Sequence, residues 1–259
     1  MIQTTIEAND GLPLTLPKLL RQRAAERGAA IFLAVDHERV SYAEVEARSR
    51  VMARGLLAAG LGKGAHIAVL FPSGADYAVA AFAVARIGAV VIPMSTFSTA
   101  DEIRWLLANS DAAALIATTG FRSHKYEEIL RSVLPETDFS RAVPLRTTAA
   151  PMLRRIWLAR DAGPGFDPYW TMGNLLAGAD AVDDSLLAAV EERVTPADRL
   201  VIIHTSGSTN TPKGVIHTHG AMIRHMTNLN VIRNYTANDA LFSNSPLFWV
   251  GGFAYTFMG

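Results

Sequence analysis

A loop rich in hydroxyl side chains is the part of this sequence best suited to chemistry. It covers residues 204–216, His-Thr-Ser-Gly-Ser-Thr-Asn-Thr-Pro-Lys-Gly-Val-Ile, and follows the apolar run Leu200 to Ile203, which predicts a buried strand. Backbone N–H groups and hydroxyls donate hydrogen bonds, and a lysine adds a point charge, so such a loop can hold phosphate. The side chains that could do so are Thr205, Ser206, Ser208, Thr209 and Lys213.

The loop is not a Walker A loop. In that motif Gly-Lys-Ser/Thr follows four spacer residues, whereas here Pro212 precedes the lysine and Gly214 follows it. The alternative interpretation is a polar turn between two strands. Histidines flank the loop on both sides, but no cysteine or paired carboxylate accompanies them, so we do not expect a zinc site. They are His204, His217, His219 and His225.

The elements that must position this loop alternate between helix and strand. Capping residues predict helices from Thr15 through Glu26, from Ser41 to Gly60, from Ser73 to Ile87, and one that starts at Thr99 with Glu102. Apolar runs predict strands at Ile31–Val35, Arg39–Val40, His66–Phe71, Ala89–Ile92 and Ala113–Ala117. Repeated strand–helix units with continuous apolar strands predict an α/β fold, with a largely parallel sheet covered by helices.

The pattern weakens between Pro135 and Pro196. Within it, residues 151–160 are basic and amphipathic, which predicts a peripheral helix with a solvated basic face. A contact with a membrane surface is the alternative. We expect this region to be an excursion between two sheet elements and not a second domain.

The loop and three other elements resemble one family, the AMP-forming adenylating enzymes, which include acyl-CoA synthetases, adenylation domains of peptide synthetases, and luciferases. Thr-Ser-Gly-Ser-Thr-Asn-Thr-Pro-Lys-Gly at 205–214 is similar to the family's phosphate-binding signature. Val-Ser-Tyr-Ala-Glu-Val at 40–45, Arg-Ile-Gly-Ala-Val-Val-Ile-Pro-Met at 86–94 and Ser-Pro-Leu-Phe-Trp-Val-Gly-Gly at 245–252 are similar to further family elements, in family order.

Two residues depart from the family pattern. Asn210 stands where the family usually has a second glycine, and asparagine is the residue after glycine that best tolerates a positive φ. Trp249 stands where many relatives have a histidine near the substrate carboxylate. This change predicts a bulkier and more apolar wall for the acyl group, with an ordinary core aromatic as the alternative.

The resemblance implies a two-step reaction. A carboxylate attacks the α-phosphorus of ATP to give acyl-AMP and pyrophosphate, and the thiol of coenzyme A then displaces AMP. It also implies Mg²⁺, with Thr205 as a candidate ligand, and an acyl site that includes Trp249, Gly251 and Phe253. The implied nucleotide-binding residues are Thr205, Ser206, Gly207, Ser208, Thr209, Asn210, Lys213 and Gly214.

Family members are roughly twice as long as these 259 residues. Their ribose-binding aspartate and their catalytic lysine lie beyond the matching region. We therefore expect residues 1–259 to be the N-terminal part of the large domain, without its C-terminal subdomain or the small lid domain, and to be inactive alone. We also expect the apolar residues Leu247 to Met258 to be exposed and to cause dimerisation or larger self-association.

Two other functions remain open at this stage. The chain could belong to an adenylation domain that loads a carrier protein, or it could be a non-catalytic module that binds a nucleotide or an acyl group. Composition excludes other classes. Twenty-four basic and 24 acidic residues balance, which disfavours nucleic acid as a partner.

Location is indicated only indirectly. There is no cysteine, which fits a reducing compartment, and residues 1–7 do not form a signal peptide. The longest apolar stretch, Tyr77 to Met94, is interrupted by Arg86, Gly88 and Pro93 and does not predict a membrane span. We expect a cytoplasmic protein, with a peripheral membrane contact as the alternative.

Overall fold

The computed structural model describes residues 11–159, 163–205, 212–236 and 238–258. The helices are α1 (Leu16–Arg27), α2 (Tyr42–Ala58), α3 (Ala75–Arg86), α4 (Ala100–Asn109), α5 (Tyr126–Val133), α6 (Met172–Ala177), α7 (Asp184–Glu192), α8 (His219–Ile232) and α9 (Val250–Gly252). The strands are β1 (Ile31–Val35), β2 (Glu38–Ser41), β3 (His66–Leu70), β4 (Val90–Pro93), β5 (Ala114–Ala117), β6 (Gly120–Phe121), β7 (His124–Lys125), β8 (Arg155–Leu158), β9 (Arg199–Thr205) and β10 (Lys213–Thr218). Short 3₁₀ turns at Pro168–Trp170 and Gly178–Ala181 flank α6, and a π-helical turn, Phe253–Phe257, follows α9.

The central sheet has six strands in the order β10-β9-β4-β3-β5-β8. Neighbouring strands from β9 to β8 are parallel, and β10 pairs antiparallel with β9 at one edge. Two small hairpins, β1–β2 and β6–β7, lie outside this sheet. Parallel strands need crossover connections, which here carry the helices. The predicted α/β class is therefore confirmed.

Helices cover both faces of the sheet. Along β3, Ile67 and Val69 belong to the core that packs against α1, α2 and α3, whereas Ala68 and Leu70 belong to the core that packs against α4 and α5. Successive side chains of a strand point to opposite faces. A sheet buried on both sides therefore requires strands that are apolar throughout, which is the pattern that the sequence shows.

Two of the predicted helix starts are confirmed by their hydrogen bonds. At α2 the N–H of Glu44 donates to Ser41 Oγ at 3.3 Å, and the Glu44 carboxylate accepts the N–H of Ser41 at 2.7 Å. Thr99 and Glu102 form the same reciprocal pair at α4. Local sequence was sufficient at these positions because both partners of a capping box lie within four residues.

The predicted cap Thr15 is confirmed by its position but not by its side chain, and the predicted cap Ser73 is wrong. Thr15 precedes α1, but its side chain makes no capping hydrogen bond, and the N–H of Leu16 donates instead to Nδ1 of His219 at 3.1 Å. Ser73 does not cap α3, which begins after Gly74. The Glu38 carboxylate does so from β2, accepting the N–H of Ala75 at 2.8 Å. In both cases a group distant in sequence satisfies the free N–H of the helix.

The segment predicted as a basic peripheral helix at 151–160 contains no helix in its described part and forms a strand at Arg155–Leu158. Strand β8, Arg155–Leu158, pairs with β5 at the outer edge of the sheet, and Ile156, Trp157 and Leu158 are buried. The helical interpretation failed because the three buried side chains follow one another directly, as in a strand that is covered on both faces. Arg154 and Arg155 lie at or before the first residue of this strand and do not form a helical face. Arg160 lies outside the described residues.

A buried arginine connects the helices on one side of the sheet. Arg86, at the end of α3, is completely buried and forms ion pairs with Glu191 of α7 and Glu46 of α2. Its Nε donates to Ser49 Oγ at 3.0 Å. Arg21 of α1 also pairs with Glu191. A buried charge is tolerated only when it is paired and hydrogen-bonded, so this network fixes where four helices lie.

The described part of the chain contains no helix that is both long and apolar enough to cross a membrane. The two edges of the sheet differ. At the β8 edge Leu158 forms a bridge with Thr171. At the other edge, β10 is exposed from Lys213 to Ile216, and its apolar side chains Val215 and Ile216 point to opposite faces.

We predict that the protein loses stability in mild acid because of His219. Burial lowers its pKa from 6.5 to about 4. The unfolded state therefore takes up a proton first as pH falls, and stability that is complete above pH 6.5 is lost between pH 6.5 and 4, by about 3 kcal/mol. Urea unfolding at a series of pH values measures this loss.

His219→Asn should flatten that pH dependence, because its amide can still accept the N–H of Leu16 but does not titrate. The matched control is His37→Asn at an exposed position, which should keep the wild-type profile. An equally steep loss in His219→Asn would show that other groups cause it.

Candidate functional site

The candidate site lies where the chain leaves neighbouring strands in opposite directions. After β3 it enters α3 on one face of the sheet, and after β4 it enters α4 on the other face. A crevice therefore opens at the carboxyl ends of β3 and β4. In open α/β sheets this is where ligands bind. Strand β9, next to β4, ends at the same edge with Thr205.

The β9–β10 hairpin holds the two ends of the hydroxyl-rich loop side by side. Thr205 pairs with Lys213 across the hairpin, and His204 pairs with Gly214. Both Thr205 and Lys213 are exposed. The predicted strand Leu200–Ile203 is confirmed as the buried part of β9. The remaining predicted phosphate-binding residues, Ser206, Gly207, Ser208, Thr209 and Asn210, lie outside the described residues.

Gly214 is where the hairpin needs a residue without a side chain. A Cβ at this position would lie 2.8 Å from Cγ2 of Ile202 and 3.2 Å from Nε2 of His204. The His204 ring in turn makes an edge contact with Trp105 of α4, with centroids 6.0 Å apart. The contact between the rings of Trp105 and His204 therefore packs the hairpin against α4.

Burial favours the neutral forms of two histidines beside the loop, His204 and His217. Burial lowers the pKa of His204 and of His217, and the charge of His225 lowers the pKa of His217 further. His217 is the last residue but one of β10 and His219 begins α8, so a strand gives way to a helix here as the sequence indicated. Among the described residues, no three His, Cys, Asp or Glu side chains lie close enough to hold a metal ion. At neutral pH, Lys213 is therefore the charged side chain that β10 brings to the loop.

The segment that contains Trp249 enters the crevice after β3 and β4. Its backbone is fixed by the N–H of Leu247, which donates to Ser73 Oγ at 3.0 Å. The ring of Phe97, in the loop after β4, contacts Phe248 at 5.8 Å and Trp249 at 6.3 Å between centroids. Ser73 and Phe97 are thus site residues that the sequence analysis missed, because their partners lie more than 150 positions away.

The three predicted acyl-site residues differ in exposure. Trp249 is 48% exposed beside Phe97, whereas Phe253 is completely buried with its ring 5.2 Å from that of Phe257. At Gly251 a Cβ would lie 2.8 Å from Ser245 Oγ, so a larger residue would disturb this turn. Their contact with an acyl group stays a prediction.

The expected exposure of Leu247 to Met258 is wrong for most of the segment. Its side chains pack into the core formed with α2 and α3, where Phe257 lies 4.9 Å from Phe82 between ring centroids. The buried residues are Leu247, Phe248, Phe253, Ala254 and Phe257. Trp249, Val250 and Tyr255 are exposed. The segment is covered by α3, which lies in a distant part of the sequence, so the apolar run alone did not show what packs against it.

A second surface feature adjoins Trp249. The guanidinium carbon of Arg122 lies 5.8 Å from the ring centre of Phe97 and 5.4 Å from that of Phe121. Phe97 is 47% exposed, so one face of this group is open to solvent. A guanidinium group beside aromatic rings can stack against a planar base and bind phosphate.

The fold and the hairpin agree with the sequence comparisons. The sequence matches the AMP-binding enzyme family over residues 20–259, and the chain belongs to that family. It is 32% identical over 241 residues to the putative acyl-CoA synthetase YngI of Bacillus subtilis (strain 168), covering 90% of this chain and 43% of that protein. It is 30% identical over 237 residues to acetyl-coenzyme A synthetase of Nostoc linckia, covering 85% and 63%.

A solved structure, that of a putative long-chain-fatty-acid CoA ligase from Rhodopseudomonas palustris, matches with a TM-score of 0.70 at 25% identity. The match covers 93% of this chain and 53% of that one. The chain thus spans about half the length of the relatives it matches. The resemblance to adenylating enzymes is confirmed.

Proposed function

We propose that this chain provides the phosphate-binding and acyl-binding parts of an ATP-dependent acid–thiol ligase. Such an enzyme joins a carboxylate to the α-phosphorus of ATP, releases pyrophosphate, and passes the acyl group from AMP to the thiol of coenzyme A. The observation that carries the proposal is the register of the β9–β10 hairpin. It sets Lys213 opposite Thr205 at the carboxyl edge of the sheet, where the ends of the signature loop must meet to enclose phosphate.

In this proposal the loop holds the β- and γ-phosphates. Lys213 supplies a positive charge, and Ser206, Gly207, Ser208 and Thr209 supply hydrogen-bond donors. Burial lowers the pKa of His204 and of His217 and so favours their neutral forms, and Lys213 by itself cannot balance the charge of ATP. A divalent cation such as Mg²⁺ would compensate for the remainder. The exposed Thr205 hydroxyl fits as one of its oxygen ligands, with the phosphates as others.

The acid is proposed to be apolar, with a fatty acid as the leading class. Trp249 presents a large half-exposed apolar ring at the crevice, and Gly251 and Phe253 belong to the same segment. The open group of Arg122 and Phe97 lies against Trp249 and suits the adenine nucleotide of coenzyme A. It favours coenzyme A over the alternative acceptor, a carrier protein.

We further propose that residues 1–259 form the N-terminal part of the large domain of such an enzyme. The share of each relative that the chain covers, 43% and 53% for two of them, supports this. The absence of cysteine supports a cytoplasmic location.

We predict that Lys213→Ala weakens ATP binding without changing the fold. One charge-assisted contact with phosphate contributes about 1.5–3 kcal/mol, which corresponds to a roughly ten- to hundredfold higher Kd. Calorimetric titration of the 259-residue chain with Mg·ATP measures this change. Lys18→Ala removes a partly exposed charge on α1 and should leave the Kd unchanged. Equal affinities for Lys213→Ala and wild type, or no binding by the wild type, would contradict the proposed phosphate site.

We predict that the chain alone binds ATP but does not catalyse acyl-AMP formation. Correct positioning of reactants contributes about 7–11 kcal/mol to such reactions, and half of a site cannot provide it. The purified chain should therefore show no carboxylate-dependent exchange of labelled pyrophosphate into ATP. Robust exchange would show that the chain contains a complete active site. ATP binding without exchange in any longer form of the protein would favour the alternative of a non-catalytic binding module.

We predict that the chain self-associates through β10. An edge strand with apolar side chains on both faces and no central charge can pair with a second copy. Light scattering should therefore find a dimer or larger species, and Ile216→Lys should shift it towards the monomer. The control is Met152→Lys at a similarly exposed apolar residue remote in sequence from β10. A monomeric wild type, or equal effects of both variants, would contradict this interface.

A further inference from the structure

A cavity of about 350 Å³ lies between α2, α3 and α6, at some distance along the sheet from the β9–β10 hairpin. It opens beyond the carboxyl ends of β3 and β8, whereas the hairpin lies beside β4. Most of its walls are apolar, and they include two methionines, whose flexible side chains adapt to ligands of different shape. The apolar walls include Val51, Met52, Phe71, Val79, Met172 and Leu176.

The cavity is not a consequence of helices that fail to pack. One turn along α2, a Cβ on Gly55 would collide with the backbone carbonyl of Leu175 in α6, so the two helices touch there. Val51, one turn before Gly55, and Leu176, the residue after Leu175, line the cavity beside this contact. Its size and apolar walls are typical of small-molecule sites.

An ion pair at the rim gives the cavity its polar end. Arg48 Nη2 lies 2.6 Å from Asp76 Oδ1, and both side chains are about half exposed. This bond uses one of the five N–H donors of the guanidinium group. Among the described residues, none accepts a hydrogen bond from the other N–H groups of Arg48. The free donors of Arg48 can therefore bind a second carboxylate beside Asp76.

We propose that this cavity binds a small amphipathic carboxylate, with its apolar tail between α2, α3 and α6 and its carboxylate on Arg48. The site is separate from the proposed acyl site. Both open near the carboxyl end of β3, but none of Trp249, Gly251 and Phe253 lines the cavity. The proposal does not depend on the proposed ligase function, since neither the hairpin nor its lysine takes part.

The charge of the ligand can be tested with three probes of equal length, octanoate, octan-1-ol and octylamine. Calorimetric titration of the 259-residue chain should give the tightest binding for octanoate. Arg48→Gln should weaken octanoate at least tenfold and make octylamine the better ligand, because it leaves Asp76 without its partner. A wild-type preference for octylamine, or no binding of octanoate, would overturn the proposal.

The location can be tested by blocking the mouth. Leu176→Trp enlarges a side chain that is 38% exposed, so the protein should still fold, and octanoate binding should fall at least tenfold. Leu186→Trp makes the same change at a more exposed position on α7, outside the cavity, and should have no effect. Unchanged binding by Leu176→Trp would overturn the assignment.

Two further measurements separate this site from the proposed active site. Trp249→Ala should leave unchanged the part of octanoate binding that Leu176→Trp removes, and a loss of that part in Trp249→Ala would show that octanoate occupies the acyl crevice instead. Leu176→Trp should leave the Kd for Mg·ATP unchanged. Loss of both ATP binding and octanoate binding would show that Leu176→Trp disturbs the whole fold. Val79→Ile, which fills the cavity from the opposite wall, would then decide the location, because it should weaken octanoate binding and leave ATP binding unchanged.

Discussion

The ion pairs of Arg86 are the constraint on which the arrangement of this fold depends. A guanidinium group with no solvent access is unfavourable unless it is fully paired, and burial indeed lowers the pKa of Arg86 to about 10. Its partners come from α2 and α7, and Glu191 also binds Arg21 of α1. An arrangement of the helices that left this charge unpaired would be unfavourable. Because α3 ends at Arg86 and β4 follows after Gly88, the same pairing fixes where β4 enters the sheet.

This arrangement then determines where ligands can bind. With α3 on one face and α4 on the other, the chain leaves β3 and β4 in opposite directions, and the Leu247–Phe257 segment packs beside this point in the core formed with α3. Two contacts hold it there, the hydrogen bond to Ser73 and the ring of Phe97. The hairpin beside the opening is supported by Trp105 under His204. The candidate site is thus built from short segments supported by a rigid sheet, which is the usual relation between scaffold and binding loops.

Sequence predicted the features that depend on near neighbours. The capping boxes at Ser41 and Thr99 and the strand Leu200–Ile203 needed only local patterns. It failed where a distant group decides. The N–H groups of two helices are satisfied by Glu38 and His219 from other elements, and neither pairing leaves a signal in the local sequence. The strand β8 and the burial of Leu247–Phe257 failed for the same reason, since apolar runs show that burial is required but not what provides it.

The four elements that resemble the family do not carry equal weight for function. The element at 40–45 begins α2 with a capping box, and the element at 86–94 contains the buried arginine and a glycine at φ +67°. Both are explained by folding alone, because they satisfy backbone groups and pair a buried charge. The element at 245–252 combines a folding role with a candidate binding role. Gly252 allows close approach to the Pro246 carbonyl, and Trp249 is exposed to solvent. In the hairpin, by contrast, Thr205 and Lys213 are exposed and face each other with no folding requirement that explains a lysine there. The resemblance in the other elements therefore supports the fold, and the inference about chemistry depends mainly on the hairpin.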